Sequence, residues 1–103
     1  MRSITYDAPG DSSVLHLVER EVPDPRAGEV RVRVHVSGVN PTDWMTRSGT
    51  GSVRVAAAET VPNQDGAGTV DAIGAEVTGL SVGDRVWLGI SGWQRPLGGT
   101  AQE

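Results

Sequence analysis

The chain has 103 residues, 37% of them apolar, with no Cys, no Phe and a formal net charge of −4 from 13 acidic against 9 basic residues. A single small domain of this size buries about two thirds of its unfolded surface, so its core is small and built mainly from Val, Leu, Ile and Ala. All the basic residues are Arg and none forms a block beside aromatics, which excludes nucleic acid as a partner, and the lack of Cys removes disulfides and thiolate metal sites.

Met1 to Tyr6 reads as a first strand, with Ile4 and Tyr6 on one face. Asp7 and Pro9 precede any long apolar run, so no signal peptide is read, and no run nears the roughly 18 apolar residues of a membrane-spanning helix. A cytoplasmic protein that engages no membrane is expected. Asp7-Ala8-Pro9-Gly10-Asp11 turns the chain into a short strand, Val14 to Val18, which can hairpin with the first. Pro23, Pro25 and Gly28 make residues 23–29 an exposed connector.

Val30 to Ser37 is the clearest element: Val30, Val32, Val34 and Val36 alternate with Arg31, Arg33, His35 and Ser37, giving one apolar and one polar face. The strand leads into a short helix, capped by Asn40, with Pro41 at its first position, Asp43 at N3 and Gly49 at its end. Arg54 to Glu59 reads equally as the start of a helix or as a loop. After Pro62, Gln64 and Asp65 stand in a loop ahead of a strand from Thr69 to Ile73. Gly66 and Gly68, two apart, open the backbone either to something lying flat against it or to a crossing element. Val82-Gly83-Asp84 makes a tight turn before Arg85 to Leu88, and Gly98 to Glu103 looks like a turn entering a further strand. Short strands between glycine-bearing turns indicate an all-β, partly open barrel-like sheet with one small helix, incomplete at its C-terminal end.

With Gly38-Val39-Asn40-Pro41-Thr42-Asp43, Asn63-Gln64-Asp65-Gly66-Ala67-Gly68 and Val82-Gly83-Asp84-Arg85-Val86 in this order, the sequence resembles the medium-chain dehydrogenase/reductase superfamily. It is most similar to the zinc-free quinone oxidoreductase branch, also called zeta-crystallin-like. The resemblance implies that residues 1–103 are the N-terminal part of a GroES-like catalytic domain, a partly open β-barrel. A Rossmann domain binding NADPH would follow outside this chain, and the fragment alone would bind no cofactor and turn nothing over. The complete protein would transfer hydride from NADPH to a quinone or enone. In zinc enzymes of the superfamily the places of Asn40 and Gln64 hold a cysteine and a histidine ligand. Neutral amides are poor zinc ligands, so no metal is expected.

The resemblance further implies that Asn40, Asp43, Trp44, Gln64, Asp65 and Gly66 line the cleft near the nicotinamide, without assigning proton transfer to any of them. Each has a structural alternative. Asn40 and Asp43 serve as helix caps, Gln64 and Asp65 as partners of turn amides, and Trp44, like Trp87 and Trp93, as a core aromatic. Gly66 and Gly68 are not a phosphate loop, since they lack the third glycine and open no helix. His16 and His35 read as structural or surface histidines. Two other readings stand beside the enzyme: a free-standing GroES-like assembly module, and a homo-oligomer in which a second copy supplies missing strands.

Overall fold

The computed structural model describes residues 1–50 and 59–103, so the open question over Arg54 to Glu59 falls, apart from Glu59, outside the described residues. Strand β1 (Arg2–Thr5) pairs antiparallel with β2 (His16–Glu19). A second sheet carries β3 (Val30–Ser37), β4 (Gly66–Ile73) and β5 (Arg85–Leu88) in the order β3-β4-β5, all antiparallel. Helix α1 (Pro41–Ser48), the one α-helix among the described residues, connects the end of β3 toward β4. None of the described helices is long and apolar enough to cross a membrane.

The first hairpin departs from the alternation expected of it. Ser3 and Thr5 are the buried residues of β1, whereas Ile4 is half-buried. A period of two fixes that the faces differ but not which is covered. Val14 belongs to a 3₁₀ turn, Ser12–Val14, whose first N–H groups are held by Asp11, and β2 begins only at His16. The last residues lie along the other edge of β1, with Gln102 bridging Ser3 and Ile4 N–H donating to the Ala101 carbonyl. The core is small: among the described residues Tyr6, Val61 and Val70 are the fully buried apolar ones.

Strand β3 runs as expected as far as Val34, where the ladder breaks. Val34 pairs with Gly68 but Val36 with Ala67, leaving His35 as the extra residue of a bulge. A one-residue insertion exchanges the two faces of everything beyond it. Val36 is therefore 63% exposed on the outer face, and Ser37 turns inward instead of joining the arginines. A compensating irregularity lies at Asp71 on β4, whose carboxylate takes the Arg31 guanidinium.

The glycines of β4 belong to the same arrangement. A Cβ at Gly68 would stand 2.1 Å from the Arg33 carbonyl oxygen and one at Gly66 would stand 2.4 Å from that of Val36. The crossing element that the spacing admits is thus β3 itself. Strand β4 starts at Gly66, three residues earlier than expected, because this close approach lets the ladder continue. The tight turn before β5 forms as read, with Gly83 at φ +98° and Asp84 accepting the Ser81 N–H.

All three tryptophans contradict the expectation of core packing: Trp44 is 51%, Trp87 82% and Trp93 57% exposed. Trp87 follows from register, since Val86 and Leu88 take the inner face of β5 and leave it the outer one.

Candidate functional site

Strand β3 delivers Ser37 and Gly38 to the start of α1, opposite the loop that leads into β4. The two segments are tied by Gly38 N–H, which donates to the Asp65 carbonyl at 2.8 Å. A Cβ at Gly38 would stand 2.7 Å from Asp65 Oδ1, so the missing side chain there admits the carboxylate. Asn40 occupies the cap position in extended conformation, and its N–H donates to Asp43 Oδ2 at 2.6 Å. The Asn40 side chain reaches across the gap: Nδ2 donates to Asp65 Oδ1, also at 2.6 Å. One asparagine therefore spans two carboxyl groups, through its main chain to Asp43 and through its side chain to Asp65.

Below this clamp runs a polar chain whose direction follows from counting protons. Thr100 Oγ1 donates its only proton to the Asp65 carbonyl at 2.7 Å. It must then accept in its 2.8 Å contact with Ser37 Oγ, so Ser37 is the donor, and Ser37 accepts in turn from Asn63 Nδ2 at 2.8 Å. Asn63, Ser37, Thr100 and Asp65 thus form one directed series, closed by Thr100 N–H donating to the Asn63 carbonyl. Thr100 is 1% exposed, so the backbone of Asp65 is fixed from the buried side.

Asp43 is 8% exposed, and burial raises its carboxyl above the ordinary aspartate range. The Asn40 N–H opposes that shift, and the nearby Asp65 carboxylate adds to it. With the folded-state value above the unfolded one, the linked stability is fully present below about pH 4 and is lost as pH rises through the folded-state value. Asp43→Asn should remove this slope. In urea denaturation series, the stability difference should move in favour of the variant as pH rises from about 4 toward neutrality. Parallel curves for the two proteins would contradict the burial of this carboxyl.

The six residues that the sequence singles out lie around one end of the β3-β4-β5 sheet but do not form one contact group. Asn40, Asp43 and Asp65 are directly linked. Trp44 stands on α1, half exposed. Gln64 turns elsewhere: its Oε1 accepts Gly92 N–H at 3.2 Å and its carbonyl accepts from Ser91 N–H at 2.8 Å. Gly66 lies against β3 and Thr100, where a Cβ would meet the Val36 carbonyl. Two concavities, of about 420 and 220 Å³, are lined by residues 18–21 with Glu59 and by residues 2–4 with Leu17 and 101–103, apart from all six. Ser37, Asn63 and Thr100 escaped the sequence reading. Ser37 was hidden by the bulge, and nothing local marks a threonine in the tail as a partner of residue 65.

The donor set does not suit zinc. Asn40 presents an N–H to Asp65 and the Gln64 oxygen is taken by Gly92, and both are neutral amides. Among the described residues no three His, Asp or Glu side chains group as metal ligands, and the sequence has no Cys.

An open, mainly β domain with one short helix stapled to the loop ahead of its central strand is of the GroES-like class. A model of the alcohol dehydrogenase GroES-like domain matches residues 26–102. Quinone oxidoreductase of Rattus norvegicus is 39% identical over 88 residues, spanning 84% of this chain and 26% of that protein. The structure of the Coxiella burnetii quinone oxidoreductase superposes with a TM-score of 0.84 at 30% identity, over 99% of this chain and 33% of that one. Escherichia coli quinone oxidoreductase complexed with NADPH gives 0.78 at 28% identity, over 88% and 27%. A cobalt- and zinc-bound alcohol dehydrogenase from Pyrobaculum aerophilum gives 0.76 at 40% identity, over 84% and 25%, so backbone likeness alone does not separate the branches. The chain belongs to the alcohol dehydrogenase GroES-like domain family. It spans about a quarter of the length of the curated relatives it matches.

Proposed function

We propose that these 103 residues are the acceptor-side portion of an NADPH-dependent, zinc-independent quinone or enone reductase, whose nucleotide-binding domain lies outside this chain. The observation that carries the reading is the Asn40 clamp: a residue just past β3 whose main chain is held by Asp43 and whose side-chain amide is held by Asp65, at the place where the family resemblance puts the thiolate of a zinc enzyme. NADPH, when bound, supplies the hydride. The residues of this chain orient the acceptor. Asn40 Nδ2 carries two N–H bonds, one engaged by Asp65, and the second donates to the carbonyl oxygen of the acceptor. The exposed Trp44 supplies a flat wall for a conjugated ring. Asp65 holds the side-chain amide and Asp43 the main chain of the same residue, which lowers the reorganisation needed when charge develops on that oxygen. A cytoplasmic location is part of the same reading and rests on the cysteine-free composition.

The test is NADPH consumption by the complete protein across a panel of quinones and enones, with NADH in parallel. Turnover of conjugated acceptors but not of simple alcohols or aldehydes is expected. The 103-residue chain alone should show no saturable NADPH binding in a fluorescence titration. Alcohol oxidation as the main activity, or tight NADPH binding by the isolated chain, would overturn the proposal.

A further inference from the structure

The bulge at His35 also shapes the outer face of the β3-β4-β5 sheet, away from the site above. Thr69, in the middle of β4, pairs with Arg33 on one side and with Arg85 on the other. Strands lie about 4.8 Å apart, so the two arginine Cα atoms are about 10 Å apart across Thr69, within reach of a common anionic group. Both arginines are exposed. His35 joins this row, with Nε2 3.1 Å from Thr69 Oγ1. The neighbouring row is apolar: Val36, Ala67 and Trp87, with Val36 63% and Trp87 82% exposed.

The charges in this patch are unbalanced. Arg2, Arg20, Arg31 and Arg95 are in ion pairs, and Arg47 donates to the Gly10 carbonyl. Arg26, Arg33 and Arg85 have no ion-pair partner among the described residues, residues 51–58 contain no acid that could serve them, and of the three only Arg33 and Arg85 flank one residue of β4. In a chain of net charge −4, two of the unpaired guanidinium groups stand on one row beside an exposed indole. The row lies on an open sheet face, and both concavities are lined by other residues, a shape suited to an extended segment rather than an enclosed small molecule.

We propose that this outer face docks an acidic segment of another polypeptide. Carboxylates of that segment bridge Arg33 and Arg85, and an adjoining apolar residue covers Trp87 and Val36. Charge complementarity sets the approach and register, and the aromatic row excludes water from the contact. The surface does not depend on the reductase reading, because none of its residues belongs to the Asn40 clamp.

The probe is a labelled synthetic peptide of glutamates around a central Leu-Leu pair, titrated by fluorescence anisotropy against the complete protein. A glutamine version of the same peptide is the control. The acidic peptide should bind at low salt and weaken about tenfold on moving to physiological ionic strength, and the glutamine version should not bind. The double variant Arg33→Gln/Arg85→Gln should lose about tenfold or more in affinity, Arg33→Lys/Arg85→Lys should retain most of it, and Trp87→Gln should lose several-fold. All are exposed positions, and a thermal melt matching the parent shows that the fold is kept. Equal binding by the glutamine pair and the parent overturns the proposal, as does no binding at low salt. Equal competition by inorganic phosphate or duplex DNA overturns it in favour of a general anion site. Self-association in light scattering that the glutamine pair abolishes would assign the face to a second copy and overturn it equally.

Discussion

Replacing Gly68 by Ala is expected to destabilise the domain by about 3 kcal/mol or more, enough to leave much of a small domain unfolded. The added Cβ would stand 2.1 Å from the Arg33 carbonyl oxygen and 2.8 Å from Val32 Cγ1. The nearest atom is backbone, so relief requires β3 and β4 to separate, and their pairing forms most of the larger sheet. Gly79→Ala is the control. It carries a penalty of positive φ, at +83°, that Gly68 does not, but nothing lies within 4 Å of its new methyl. That variant should lose only about 1 kcal/mol. Equal denaturation midpoints for the two would show that β3 does not press on β4 as described.

Asp65→Ala should have the largest effect on activity. In the complete protein we expect kcat/KM for a quinone acceptor to fall about 100-fold, since the amide that orients the acceptor loses its tether and a displacement of about 1 Å costs that much. Stability should fall by only about 1–2 kcal/mol, because the Gly38 and Thr100 bonds are made to the main chain of residue 65 and survive. Asp65→Asn keeps an oxygen for Asn40 and should restore most of the rate. It also removes a negative charge beside Asp43, and so should draw the Asp43 carboxyl back toward its ordinary value. A rate unchanged in Asp65→Ala would detach the Asn40 clamp from the chemistry.

Elements set by local chemistry were legible in the sequence. The alternation of β3, the Asn40, Pro41 and Asp43 start of α1, the Gly49 end and the Asp84 turn all follow from neighbours a few residues apart. Each is found where its residues put it, the alternation of β3 as far as Val34. What failed was set by tertiary partners. The bulge at His35 needs the β4 register, and with it the faces of Val36 and Ser37 exchange. Gly68 carried the signal, but a pair of glycines says only that something comes close. Ile4, Ser3 and the tryptophans show the same limit, since amphipathic pattern does not say which side of a strand is covered. At the site, the sequence brings Asp43 back to Asn40 across one helical turn. The 25-residue link from Asn40 to Asp65 and the series through Thr100 exist only after folding.

The central claim is that acceptor orientation here depends on an asparagine whose main chain and side chain are each held by a carboxyl group, and needs no metal. It is tested most directly by measuring metal content and quinone turnover together on the complete protein, before and after exhaustive chelation. The account predicts substoichiometric zinc and a rate unchanged by chelation. One zinc per chain, with activity lost on its removal and restored on its return, would contradict it.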